Sequence, residues 1–239
     1  MNRRQPSLSL GTWLSIGSPV IAELAALSGF DWVLFDLEHG CAAEACLPDQ
    51  LRAIRGTSTK GIVRVAAPAP DQIARVLDWG ADGIMVPRVE TVAEAESIVR
   101  AACHAPLGRR GFSRTVRATG YGLEAHPDKP MVMVQIESLA GVGQAADIAA
   151  VEGVDVLFVG PADLRHDLEH NPSGGSPDYE ACLDQVLEAV QSTGKEAGIL
   201  VRAPAEFAAH ASRGFTRIAV DSDLSILRKA YQHLVSEKP

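Results

Sequence analysis

With 239 residues, a formal charge of −8 and a pI near 5.4, the chain lacks the basic excess that nucleic acid or an anionic membrane selects, although a local field can still receive an anionic substrate. At 46% hydrophobic and only 5% aromatic its core must be aliphatic, and the length admits one large α/β domain or two small ones. Four scattered cysteines (Cys41, Cys46, Cys103, Cys182) form no C-x-x-C pair or zinc spacing, and no signal-like or membrane-spanning run is present, so reduced thiols and a cytoplasmic location are expected.

In chain order, short apolar runs alternate with amphipathic stretches. Strands are predicted over 8–13, 31–37, 61–65, 83–86, 131–136, 154–159, 197–201 and 216–220. Helices are predicted over 18–28, 45–55, 70–79, 91–103, 138–149, 178–193, 205–213 and 222–236. Eight of each in alternation is the count of a TIM (β/α)8 barrel, and closure needs all eight units, so 1–239 reads as one domain. Gly29, Gly80, Gly194 and Gly214 stand between a helical stretch and a strand, where a left-handed residue commonly stops a helix. Two connections, 104–130 and 164–177, exceed the usual length; such loops tend to be functional or mobile. The last helix carries an apolar set (Leu224, Ile226, Leu227, Ala230, Tyr231, Leu234) suited to subunit docking.

Barrel active sites are built where the strands end. Strand two ends in Asp36-Leu-Glu-His39, strand three carries Arg64, strand five gives Gln135 and Glu137, strand six leads through Gly160-Pro-Ala to Asp163, and strand eight ends at Asp221. The strand starts read mostly as Gly, Asp31, Thr or apolar residues. Glu137 and Asp163, on successive strands, can hold a hard divalent cation, since a buried carboxylate pair is costly without a compensating charge. Either one alone could instead cap a helix. His39 suits proton transfer near neutral pH, or is merely an exposed loop residue. Arg64 is either a salt bridge within the barrel or a receptor for a carboxylate or enolate oxygen. Asp78 reads as a solvated helix-end residue. The loop from Gly108 to Arg117 places four arginines together, as a solvated or subunit-facing loop or as a receptor for an anionic tail.

Together, Phe35-Asp-Leu-Glu-His-Gly40, Val63-Arg64, Leu77-Asp-Trp-Gly-Ala81, Val86-Pro87, Gly108-Arg-Arg-Gly111, Val134-Gln-Ile-Glu137 and Gly160-Pro-Ala-Asp-Leu164 resemble the HpcH/HpaI aldolase family, metal-dependent class II pyruvate aldolases. The likeness runs from about Leu10 to the C-terminus. It implies a lyase that cleaves or forms a 4-hydroxy-2-oxo acid through a pyruvate enolate, releasing pyruvate and an aldehyde, with Mg²⁺, Mn²⁺ or Co²⁺ and no organic cofactor. By this resemblance Glu137 and Asp163 are the metal ligands, and Arg64 binds pyruvate and steadies its enolate. Gln135 lies beside the metal, and Ala162 and Leu200 line the pyruvate site. His39 is the acid/base, supported by Asp36, and Asp78 pairs with that histidine from a neighbouring subunit of a homohexamer. No Schiff-base lysine is required, and Lys60, Lys129, Lys195, Lys229 and Lys238 are read as avoiding the strand ends. Oxaloacetate decarboxylation or a citrate-synthase-like condensation could use the same enolate. A non-catalytic ligand-binding barrel is the alternative of another class.

Overall fold

The computed structural model describes residues 7–127, 129–171 and 177–238. The N-terminal stretch 1–6 and the centre of the 164–177 connection, 172–176, lie outside the described residues. Eight parallel strands close in sequence order: β1 Ser9–Leu14, β2 Trp32–Asp36, β3 Lys60–Arg64, β4 Gly83–Val86, β5 Met131–Ile136, β6 Val156–Val159, β7 Glu196–Val201 and β8 Arg217–Ser222, with β8 pairing back onto β1. The helices are α1 Pro19–Leu27, α2 Leu47–Ala53, α3 Pro70–Asp78, α4 Val92–Ala102, α5 Leu139–Gly143, α6 Ala145–Ala150, α7 Pro161–His170, α8 Tyr179–Thr193, α9 Pro204–Arg213 and α10 Asp223–Ser236. This is the expected TIM barrel.

Side chains alternate across each strand. Val33, Phe35, Val63, Ile84, Val132, Val134, Leu157 and Ile199 face the helices in the outer core. Trp13, Trp32, Leu34, Ile62, Met85, Met133, Val156, Phe158 and Ala219 fill the barrel. Few aromatics are available, and three stand in this inner layer: Trp13 and Trp32 pack against Phe158 with ring centroids 5.6 and 6.2 Å away. Two glycines make the room. A Cβ on Gly11 would lie 2.1 Å from the Trp32 ring, and one on Gly198 would lie 2.3 Å from that of Phe158.

Two helical stretches differ from expectation. The one predicted over 138–149 breaks at Gln144 into α5 and α6. More consequentially, Pro161–His170 is a ten-residue helix that runs into the long connection expected over 164–177. Its start follows local rules, with Gly160 at the N-cap and Pro161 in the first turn. Its apolar stripe is almost missing, since Leu164 is its only buried residue, so hydrophobic periodicity could not reveal its length.

The N-terminal rim is also more charged than the sequence reading allowed. Lys60, Glu196 and Arg217 begin strands, and Asp31, Asp82 and Asp155 precede others. They stitch neighbouring strands together. Asp31 accepts from the Leu10 N–H (2.7 Å), Asp82 from the Gly61 N–H and Lys60 (both 2.9 Å), and Asp155 from the Val132 N–H (2.8 Å) and Lys129 (2.6 Å). Arg217 closes on Glu196 at 2.8 Å. Charge thus occupies both rims, and at the N-terminal one Lys60, Lys129 and Arg217 pair with Asp82, Asp155 and Glu196.

Candidate active site

On each of several strands the inward-facing column climbs from apolar to ionisable. β2 runs Trp32, Leu34, Asp36; β3 runs Ile62, Arg64; β5 runs Met133, Gln135 and, one step past the strand, Glu137. Asp36 and Arg64 are register partners across β2 and β3, so their side chains meet. Arg64 donates from Nε to Asp36 Oδ1 (2.9 Å), from Nη2 to Asp36 Oδ2 (2.7 Å), and from Nη1 to Glu38 Oε2 (2.8 Å). Its guanidinium carbon also stands 5.2 Å from the centroid of the Trp13 ring. The salt bridge anticipated for Arg64 exists, and the same residue lines a cavity at the C-terminal rim.

Burial works to raise the Asp36 carboxyl, but the hydrogen bonds and charge of Arg64, with the N–H groups of His39 and Glu38, outweigh it and hold Asp36 below the usual carboxylate range. Asp36 Oδ1 accepts both those N–H groups, at 3.0 Å from Glu38 and 3.2 Å from His39. Its support for His39 therefore acts through the loop backbone and not through the ring. The imidazole itself is exposed, with Nε2 at 3.8 Å from Glu38 Oε1.

Glu137 is 6% exposed. It accepts the Arg88 N–H at Oε1 (2.9 Å) and the Gln135 side-chain amide at Oε2 (3.1 Å). The helix-cap reading does not hold for it, because Ser138 caps α5. Burial first, then the charge of Asp163, pushes the Glu137 carboxyl up to about 7; the Arg88 N–H opposes this only in part. Arg88 delivers that N–H from a left-handed backbone, φ 53°, a conformation that costs energy in a non-glycine residue and tends to cluster at functional sites. Gly160 lets β6 approach, since a Cβ there would lie 2.3 Å from Glu137 Oε2. Asp163 comes from the first turn of α7 and lines the cavity.

Among the described residues no group of three or more His, Cys, Asp or Glu is placed to hold a metal. What converges is two carboxylates and the buried side-chain oxygen of Gln135, which has no hydrogen-bond partner among the described residues. Such an oxygen-donor set fits a hard divalent cation that keeps positions for water and substrate.

The cavity, about 450 Å³, brings together Asp36, His39, Arg64, Gln135, Ala162, Asp163 and Leu200. Asp78 is not among its lining residues. It ends α3 at the opposite rim, where Arg110 donates to it from Nη2 (2.5 Å). The other arginine of that loop with a defined role, Arg117, bonds the Trp79 carbonyl, and no arginine of the loop lines the cavity of its own chain. Asp221 pairs with Lys229 instead (2.6 Å). Lys60, Lys129 and Lys195 sit at strand starts, away from the strand ends as expected, whereas Lys229, on α10, reaches Asp221 at the C-terminal rim. None of them lines the cavity. The sequence reading missed Arg88, Trp13 and Phe158, and also Arg165 and Arg202, which share the cavity wall. For Arg202 a signal existed, since it lies two residues beyond Leu200 in the same alternation.

The chain is similar to known proteins over almost its whole length. A 5-keto-4-deoxy-D-glucarate aldolase from Escherichia coli O6:H1 is 37% identical over 232 residues, covering 95% of this chain and 91% of that protein. The crystal structure of an HpcH/HpaI aldolase/citrate lyase family protein from Burkholderia cenocepacia J2315 superposes with a TM-score of 0.89 at 36% identity, covering 98% and 96% of the two chains. That of the citrate synthase SbnG does so at 0.80 and 31%, covering 96% and 91%. The model of the HpcH/HpaI aldolase/citrate lyase family matches residues 9–230. The chain belongs to that family and is a carbon–carbon lyase of the aldolase type.

Proposed function

We propose that the enzyme cleaves and forms 4-hydroxy-2-oxo acids through the enolate of pyruvate, at the cavity lined by Arg64, Gln135 and Asp163, with Glu137 hydrogen-bonded to Gln135 behind it. The observation that carries this reading is the buried Glu137 carboxyl, hydrogen-bonded to Gln135 and crowded by Gly160, beside a Gln135 oxygen that has no partner among the described residues. Glu137 and Asp163 would hold Mg²⁺, Mn²⁺ or Co²⁺, with Gln135 alongside; when bound, the cation polarises the 2-oxo group and makes a methyl proton of pyruvate removable.

Arg64 stands pre-oriented by Asp36 and Glu38, so its guanidinium need not reorganise as charge develops on the enolate oxygen. Ala162 and Leu200 pack against the pyruvate carbons. In the cleavage direction the bond between C3 and C4 breaks. The C4 hydroxyl proton passes to His39, C4 leaves as the aldehyde carbonyl, and the electron pair remains on the pyruvate enolate. In the reverse direction His39 returns the proton to the new alkoxide. The relatives named for 5-keto-4-deoxy-D-glucarate make a sugar-derived oxo-diacid a substrate of choice for the screen. The citrate synthase among the solved structures supports a second use of the same enolate, trapped by a keto acid in place of an aldehyde.

We assign the working enzyme to a homo-oligomer, a hexamer in the family pattern, in which Asp78 meets His39 of a neighbouring copy. Its four free cysteines accord with a reducing, cytoplasmic setting. The test is a lyase screen over 4-hydroxy-2-oxo acids, with pyruvate release coupled to lactate dehydrogenase. Activity should vanish on exhaustive chelation and return with Mg²⁺, Mn²⁺ or Co²⁺. Full activity after chelation, with a pyruvate adduct trapped by borohydride, would mean a Schiff-base enzyme.

A further inference from the structure

The two histidines of α7 have no part in the chemistry of the cavity, and neither lines it. Leu164 is buried and Leu168 packs against the outer core, which sets the inward face of this helix. A residue two positions further on lies about 200° around a helix of 3.6 residues per turn. His166 and His170 therefore share the outward face, and both are exposed. At a spacing of four they are neighbours one turn apart. Their ring centroids stand 4.1 Å apart, with the planes at 33°.

The contacts of one ring fix its tautomer. His170 Nδ1 lies 2.9 Å from the His166 carbonyl oxygen. A carbonyl only accepts, so Nδ1 carries the proton and Nε2 presents its lone pair. An imidazole that donates one N–H to a backbone carbonyl and offers its other nitrogen has the arrangement of a metal-ligating histidine. Two bonds of about 2.0–2.1 Å to one cation span about 4 Å, within reach of rings this close once they turn about their side-chain torsions. The electrostatics favour a cation here. Asp163, Asp167 and Glu169 share the helix with one arginine, Arg165. The pair also occupies the C-terminal turn, where the carbonyl end of the helix dipole attracts positive charge.

We propose that His166 and His170 form a second metal site, outside the cavity, for a divalent transition ion of the kind imidazole prefers (Cu²⁺, Ni²⁺, Zn²⁺ or Co²⁺), with water in the remaining positions. Neutral imidazole nitrogens do not displace water from Mg²⁺, which takes oxygen ligands. This site and the oxygen-donor set of Glu137 and Asp163 thus select different ions. The bound ion closes the last turn of α7. With one buried residue this helix draws little stability from packing, and a bridge between residues four apart holds the turn together. The assignment does not depend on the aldolase reading.

The test titrates Cu²⁺, in excess Mg²⁺, into the Glu137→Gln protein, in which the oxygen-donor site is disabled. Electron paramagnetic resonance should show one equivalent of copper split by two nitrogen nuclei, and affinities should follow Co²⁺ < Ni²⁺ < Cu²⁺ > Zn²⁺. His166→Ala and His170→Ala should each remove the two-nitrogen pattern. Each should weaken binding by at least the roughly tenfold that loss of an outer-shell partner costs. Both side chains are exposed, so the variants should keep the circular dichroism of the parent. Added Zn²⁺ should slow amide exchange in the last turn of α7 in the wild type and not in His170→Ala. Copper bound through oxygen alone, or displaced by Mg²⁺, would overturn the site. A nitrogen pattern that survives in both variants would move the copper to the other close pair, His104 and His126 (4.7 Å between centroids), and overturn it equally. Unchanged exchange with Zn²⁺ bound would defeat the claim that the ion closes the turn.

Discussion

Arg64 can keep its charge inside the barrel because Asp36 and Glu38 take up all three of its nitrogens. An ammonium has no comparable fork. Arg64→Lys should therefore lose about a hundredfold in the pyruvate-release assay, or on the order of 3 kcal/mol of transition-state stabilisation; a rate near wild type would reduce the arginine to a structural role. Glu137 makes a pH prediction. Its folded pKa, about 7, lies above the ordinary 4.5, so the folded state holds this proton more tightly than the unfolded chain does. The associated stability is present in full below the unfolded value and is lost as pH rises through the folded one. Metal-free protein should melt at a lower temperature at pH 8 than at pH 5.5, by more than Glu137→Gln does over the same interval, and added divalent cation should offset the loss. Equal pH dependence in the two proteins would show that Glu137 is not strained. Of these features, the residue identities were readable in the sequence. The Asp36–Arg64–Glu38 cluster was not, because it depends on the register between β2 and β3.

At the scale of elements, the N-terminal rim is where strand order is pinned by charge. Asp155 joins the start of β5 to the approach to β6 through the Val132 N–H and Lys129. Asp155→Ala should destabilise the fold by about 1–3 kcal/mol, the typical cost of leaving a polar group unpaired. It should leave kcat per folded molecule unchanged, because the active site is at the other rim; urea unfolding measures the first and burst-free kinetics the second. A loss of activity without a loss of stability would contradict this division of the barrel. Most elements were legible from alternating apolar runs, since strands buried on both faces read as continuous Val, Ile and Leu. α7 was not, because a helix exposed on nearly every face carries no apolar period, and so the positions of Arg165 and Asp163 on one helical turn also went unseen.

For the whole molecule, α9 buries no residue and α10 buries only Asp223, while Ile226, Tyr231, Leu234 and Val235 on α10 and Val20, Leu24 and Leu27 on α1 stand largely exposed. Apolar faces of this kind mark association surfaces. Asp78 is held by Arg110 at the rim away from its own cavity, and in the proposed oligomer it would serve a neighbouring copy. Mixing inactive Asp78→Ala and His39→Ala proteins under subunit exchange should regenerate a fraction of wild-type sites, read as recovered pyruvate release. A fully active monomer by sedimentation, or no recovery despite demonstrated exchange, would end the shared-site idea.

By itself the sequence determined the barrel, because the short continuous apolar runs and their alternation with helical stretches are local properties of the chain. It also determined which acids, base and amide end the strands, since side-chain phase along a strand follows from counting. Tertiary structure decided what those charges do. Register made Arg64 the partner of two carboxylates and Gly160 allowed β6 to crowd Glu137. Barrel closure carried the arginine loop to the far rim and set Arg165 and Arg202 across the cavity from Arg64. Interaction energies depend on distances between residues far apart in the chain, and only the closed fold sets those distances.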